Sequence, residues 1–103
     1  MSVLEGVLEE EYARSVRLCR HIEAELSTLP KGSVRVRQIR GHEYYYLNYR
    51  EGDVVKSDYI PVREVESVRA RVARRKELAA ALKEQRRSCK QIERALGRKP
   101  HVE

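Results

Sequence analysis

The stretch Glu43 to Ile60, EYYYLNYREGDVVKSDYI, decides how the rest of this 103-residue chain is read. β-Branched and aromatic residues crowd both sides of a short glycine-bearing turn, Arg50-Glu51-Gly52-Asp53, so two antiparallel strands are expected over about residues 43–50 and 54–60. Five of the six tyrosines lie here. Just upstream, Val34 and Val36 alternate with Arg35 and Arg37 at the period of two that marks a third strand, over about residues 33–40. Gly41-His42 then reads as a two-residue type II′ loop, since that turn favours glycine in its first position.

Turn length sets register, and register sets which side chains share a face. The Gly41-His42 loop would place Val34 opposite Tyr49, Val36 opposite Leu47 and Gln38 opposite Tyr45. At the second turn, a three-residue loop at Glu51-Gly52-Asp53 places Val55, Ser57 and Tyr59 across from Tyr49, Leu47 and Tyr45. A two-residue loop would instead set Lys56 and Asp58 against that apolar row. The first is the expected register, because it collects Val34, Val36, Tyr45, Leu47, Tyr49, Val55 and Tyr59 on one inner face. Arg35, Arg37, Ile39, Tyr44, Tyr46, Asn48, Arg50, Val54, Lys56 and Asp58 would then face outward.

Both flanks of the sheet read as helix. Ser2 is placed to cap a helix running to about Leu29, and Tyr12, Ser15, Cys19, Ile22, Leu26 and Leu29 keep the three-four alternation of a coiled-coil seam. Pro30 and Gly32 end it. After the sheet, Pro61 suits the first position of a second helix that should continue to about Leu96, with Gly97 and Pro100 marking its end before a short tail, 97–103. Its apolar stripe is Val62, Val65, Val68, Val72, Leu78 and Leu82, then Cys89, Ile92 and Leu96. If the helices pack side by side, Leu26 meets Val65, Cys19 meets Val72, Tyr12 meets Ala79 and Leu8 meets Leu82. In that register Cys89, Ile92 and Leu96 overhang without a partner in the same chain, so they are the expected interface of a homo-oligomer, most simply a dimer. Cys19 and Cys89 would be about 25 Å apart, too far for a bridge within the chain.

Composition bounds the function. The formal charge is +6, from 22 Lys and Arg against 16 Asp and Glu, and residues 61–103 hold 13 of the basic groups and 6 of the acidic ones. Such a field attracts polyanions. Two cysteines 70 positions apart fit neither a disulfide framework nor a zinc site, and point to a reducing cytoplasm. No apolar run reaches the roughly 18 residues of a membrane span, and no signal-peptide pattern opens the chain. His21, His42 and His101 are scattered, away from any ligand-spaced partner, so no metal or other cofactor is expected. Neither a nucleophile elbow nor a phosphate-cradling glycine loop is present, so the chain does not read as an enzyme or as a binder of small-molecule substrates.

Two surfaces remain as candidates. On the outer sheet face Arg35, Arg37, Arg50 and Lys56 interleave with Tyr44 and Tyr46, the combination that contacts phosphates while rings pack on sugars or bases. Along the second helix Lys83, Arg87, Lys90 and Arg94, flanked by Lys76 and Arg98, form a line of charge that can follow a phosphate backbone. Each also fits a solvated polar face, the second in part neutralised by Glu9, Glu10, Glu11, Glu23 and Glu25.

Lys31-Gly32-Ser33, Gly41, Tyr44-Tyr45-Tyr46-Leu47, Tyr49-Arg50, Gly52, Lys56-Ser57 and Tyr59-Ile60 together resemble a family of short prokaryotic proteins known only as a domain of unknown function. A second likeness is to the small three-stranded arm-binding domains of phage integrases, in the Tyr-rich second strand, the Arg-Glu-Gly turn and the Lys-Ser-x-Tyr-Ile third strand. That likeness implies DNA gripped by the sheet, with Arg35, Arg37, Tyr46, Arg50 and Lys56 as contacts. Here, however, long helices flank the sheet and no recombinase catalytic domain accompanies it.

The expectation is therefore a single α+β domain: helix, three-stranded antiparallel meander, helix, with the helices as an antiparallel coiled-coil-like stalk. Its expected role is non-enzymatic nucleic-acid binding, of DNA before RNA. The competing expectation is a protein-protein assembly module that uses the helical hairpin and the Tyr-rich sheet.

Overall fold

The computed structural model describes residues 2–97; Arg98, Pro100 and His101 lie outside the described residues. Helix α1 (Val3–Leu26) is followed by strands β1 (Ser33–Ile39), β2 (His42–Glu51) and β3 (Val54–Ile60), a single 3-10 turn (Val62–Glu64) and helix α2 (Val65–Leu96). The strands form one antiparallel sheet in the order β1-β2-β3, and the two helices pack against each other. This is the α+β arrangement that periodicity and turn residues predict.

The helix ends follow from local chemistry. The Glu5 N–H donates to Ser2 Oγ at 3.1 Å, which caps the first turn of α1, and the Ser2 hydroxyl lies 3.4 Å from Glu5 Oε1. The helix stops at Leu26 instead of Leu29. Ser27 turns its hydroxyl onto the Ala24 carbonyl at 2.7 Å, and the Arg71 and Arg75 guanidinium groups take the Thr28 and Leu29 carbonyls at 3.1 and 3.0 Å. Pro61 opens a 3-10 turn, its carbonyl accepting from the Glu64 N–H at 2.8 Å, and α-helical bonding begins at Val65. Gly97, at φ +71°, ends α2 with its N–H on the Arg94 carbonyl.

Both hairpins differ from expectation in register. The first turn is Arg40-Gly41, with φ of 52° and 81°, a type I′ geometry whose twist matches that of the strands. It pairs Val34 with Leu47 and Val36 with Tyr45, two residues from the expected alignment. A shift of two preserves the faces. The second turn is the two-residue Gly52-Asp53, with only Gly52 at positive φ (60°) as in a type II′ loop, so Glu51 pairs with Val54. This one-residue change turns β3 over. Lys56 now lies beside Tyr49 and Asp58 beside Leu47, while Val55, Ser57 and Tyr59 join Arg50, Asn48 and Tyr46 on the other face. The expected inner face containing Val55 and Tyr59, and the outer face containing Val54, Lys56 and Asp58, are both corrected.

The chain forms two compact units. In the first, Thr28–Glu77, the sheet and the beginning of α2 bury Ile60, Val65 and Val72. Gly32 is indispensable there: its φ is +124°, and a Cβ would collide with the Asn48 carbonyl oxygen on β2. In the second unit α1 packs on the Leu78–Leu96 part of α2, burying Ser15, Cys19 and Ile22 with Leu78, Leu82, Cys89 and Glu93. Among the described residues no large side chain is completely enclosed.

The helix pair also has a different register from the expected one. Tyr12 Oη donates to Glu93 at 2.9 Å, Ser15 Oγ to Gln85 at 3.1 Å and Cys89 Sγ to Ser15 Oγ at 3.1 Å, while Arg86 pairs with Glu23 at 3.1 Å. Tyr12 thus meets a residue two heptads, or about 21 Å of helix, beyond Ala79. The physical reason lies in the polar positions of the seam. Against Ala79, the Tyr12 hydroxyl would sit beside a methyl group, whereas the observed register supplies an acceptor to each seam hydroxyl. Consequently Cys89 is buried inside its own chain, and Ile92, half-buried, lines a groove with Ser15 and Leu18. The premise that Cys89 and Ile92 lack partners in the same chain is overturned, as is the expected separation of Cys19 from Cys89.

Candidate functional site

Alternation along β2 sends Tyr44, Tyr46, Asn48 and Arg50 to one side of the sheet, and pairing adds Arg35, Arg37 and Ser33 from β1 and Val55, Ser57 and Tyr59 from β3. Three arginines and no carboxylate occupy this face. The other face holds Glu43, Glu51 and Asp58 against a single lysine, Lys56. The sheet is therefore segregated by charge across its thickness.

On the basic face the Arg37 guanidinium lies 5.3 Å from the centroid of the Tyr46 ring, and Tyr46 meets Tyr59 edge-on at 5.9 Å and 70°. Arg37, Tyr46 and Tyr59 thus run as a diagonal row across all three strands. Beside it, the Ser57 hydroxyl donates to Asn48 Oδ1 at 2.6 Å. Among the described residues no carboxylate pairs with Arg35, Arg37 or Arg50, and all three are exposed. Tyr59 is 56% exposed.

The opposite face is internally satisfied. Lys56 Nζ sits 2.9 Å from Glu51, and Tyr45 Oη donates to Glu43 at 3.0 Å beneath the Arg69 guanidinium, 5.8 Å from its ring centroid. Hydrogen bonding to Glu43 pushes the Tyr45 phenol above its ordinary pKa, and hydrogen bonding to Asp58 does the same for Tyr49. Pro30, Lys31, Leu47, Tyr49 and Asp58 line a shallow pocket on this side.

Of the sheet residues expected at the site, Arg35, Arg37, Tyr44, Tyr46 and Arg50 share one face, and Lys56 is on the other, held by Glu51. Tyr59, Asn48 and Ser57 join that face, whereas the expected register places Tyr59 and Ser57 on the opposite side. The signal for them was present in Gly52-Asp53, a dipeptide suited to a two-residue loop. The helical candidates form a separate surface. Lys83, Arg87 and Lys90 line a groove of about 510 Å³ with Leu26, Ala79, Leu82 and Arg86, and Arg94 continues the line at helical spacing. Arg86 and Arg87 are engaged by Glu23 and Glu84 at 3.1 and 3.0 Å, so part of this charge is neutralised in place.

Among the described residues no helix is long and apolar enough to cross a membrane. No curated protein and no solved structure matches the chain. Residues 6–70, which take in most of α1, the whole meander and the start of α2, match the family described as Domain of unknown function (DUF6788), and the chain belongs to that family.

Proposed function

We propose that this protein binds nucleic acid, DNA before RNA, through the arginine-tyrosine face of its sheet. The observation that carries the reading is the segregation of charge: three exposed arginines without a carboxylate among them, interleaved with Tyr44, Tyr46 and Tyr59. An arginine with no acid beside it keeps its whole charge for an external anion, and its planar donors suit phosphate oxygens. Rings between such arginines pack against sugars and bases. The likeness of the meander to integrase arm-binding domains points the same way. Lys83, Arg87, Lys90 and Arg94 on α2 provide a second basic surface for the same polyanion.

The test is fluorescence anisotropy with labelled duplex DNA, single-stranded DNA and RNA across a salt series. Affinity should fall steeply as salt rises, because counterions released from the phosphates are recaptured. Reversing Arg35, Arg37 and Arg50 to Glu should weaken binding severely, by about tenfold per arginine. A flat salt response, or a reversed variant that binds as before, would end the proposal.

A second reading is favoured by the N-terminal turns of α1, where Val3, Leu4 and Val7 are 88%, 68% and 50% exposed. Such a strip suits assembly with a second copy or another protein. Leu4→Asp with Val7→Asp should then lower the mass in sedimentation, whereas an unchanged mass removes this reading.

A further inference from the structure

The two cysteines are 70 residues apart in sequence, yet both are buried in the helix-pair unit, Cys19 at 6% and Cys89 at 9% exposure. Contacts on both sides fix their positions. Tyr12 holds Glu93 and Glu23 holds Arg86, so Cys19 on α1 and Cys89 on α2 lie within the same short segment of seam. The Cys89 thiol donates to Ser15 Oγ at 3.1 Å, and Ser15 is one turn before Cys19 on the same buried stripe. Burial first, then the neighbouring Cys89 thiol, push the Cys19 pKa up.

We infer that Cys19 and Cys89 form a dithiol-disulfide site, oxidised by a low-molecular-weight disulfide of the glutathione type to an intrachain bond that fastens α1 to α2. In the step, the thiolate of one cysteine attacks a sulfur of the oxidant, forming a mixed disulfide and expelling one small thiolate. The second cysteine's thiolate attacks the protein sulfur of that mixed disulfide and expels the other. Two protein thiols are oxidised, one small disulfide is reduced to two thiols, and the two protons lost by the cysteines are taken up by the departing thiolates. The ring so closed contains the whole meander.

The same geometry sets the rate. Both thiols are buried, and Cys19 is held protonated at neutral pH, so the first attack requires the seam to open and to lose a proton. Oxidation is therefore slow at neutral pH and faster as pH rises. This inference is independent of nucleic-acid binding.

The full chain is equilibrated in glutathione buffers from fully reduced to fully oxidised, quenched with a maleimide, and read by intact mass and peptide mapping. The expected result is a species lighter by two hydrogens, refractory to maleimide, with a Cys19-Cys89 linked peptide and reversal by dithiothreitol. The linked fraction should be independent of protein concentration. Labelling of both thiols at every glutathione ratio, even after equilibration in urea below the unfolding transition, would overturn the site. Glutathione adducts alone, or a bond formed only between chains, would overturn it equally.

Discussion

The two faces of the sheet share one backbone and are built from similar residues, yet they are chemically opposite. On one, the Tyr45 and Tyr49 hydroxyls donate hydrogen bonds to Glu43 and Asp58, and Lys56 neutralises Glu51. On the other, the tyrosines Tyr46 and Tyr59 meet each other and Arg37, and the arginines have no internal counter-ion among the described residues. A face that satisfies its own charges has little to offer a partner; a face that leaves them unpaired has a reason to meet one.

That contrast can be broken most forcefully by charge reversal. Arg35→Glu, Arg37→Glu and Arg50→Glu together should weaken nucleic-acid affinity by about 1,000-fold at low salt, at roughly tenfold per arginine. Lys56→Glu, on the other face, should change it by less than about twofold. Equal losses from both, measured by anisotropy, would mean that the faces do not differ in function.

Next in size is Gly32→Ala, which disrupts the backbone that both faces share. The added Cβ meets the Asn48 carbonyl at a φ that disfavours any side chain, so stability should fall by about 2–3 kcal/mol in a urea titration. A variant as stable as the parent would show that β2 does not pass so close to this glycine.

Tyr59→Ala sharpens the contrast from the aromatic side. It removes the edge-on partner of Tyr46 and one exposed ring, and should reduce affinity by about 1–2 kcal/mol with little change in salt slope. A change in slope instead would assign the loss to phosphate contacts.

The smallest effect is alkaline. The phenols of Tyr45 and Tyr49 are raised because their hydrogen bonds favour the protonated form, so their contribution is present below about pH 10 and is lost as pH rises through the raised folded values. Stability followed by denaturant midpoint should decline across that window. Tyr45→Phe with Tyr49→Phe should flatten the decline.

How much of this was legible beforehand depends on which signal each feature left in the chain. Ser2 with Glu5, Pro61, Gly97 and the change of period at Ser33 all act through backbone chemistry, and each marks its element to within a few residues. The registers differ from expectation because burial does not arbitrate them. Val54 and Val55 are both apolar and both exposed, so β3 carries no clean alternation, and the turn dipeptide decides instead. On the helices an apolar stripe tolerates a slide of two heptads, and the choice falls to Tyr12, Ser15 and their acceptors. The site follows these registers: Lys56 and Tyr59 exchange faces relative to the expected pairing, and the slide of the helices brings Cys89 to the α1 stripe that carries Cys19.

With no large side chain completely enclosed among the described residues, unfolding should expose comparatively little new hydrocarbon to water. The heat-capacity increment of the transition should then be small for a chain of this length, and calorimetry should record a broad, shallow endotherm. Free energy would vary gently between cold and warm conditions, so this molecule should tolerate chilling better than a densely filled globule.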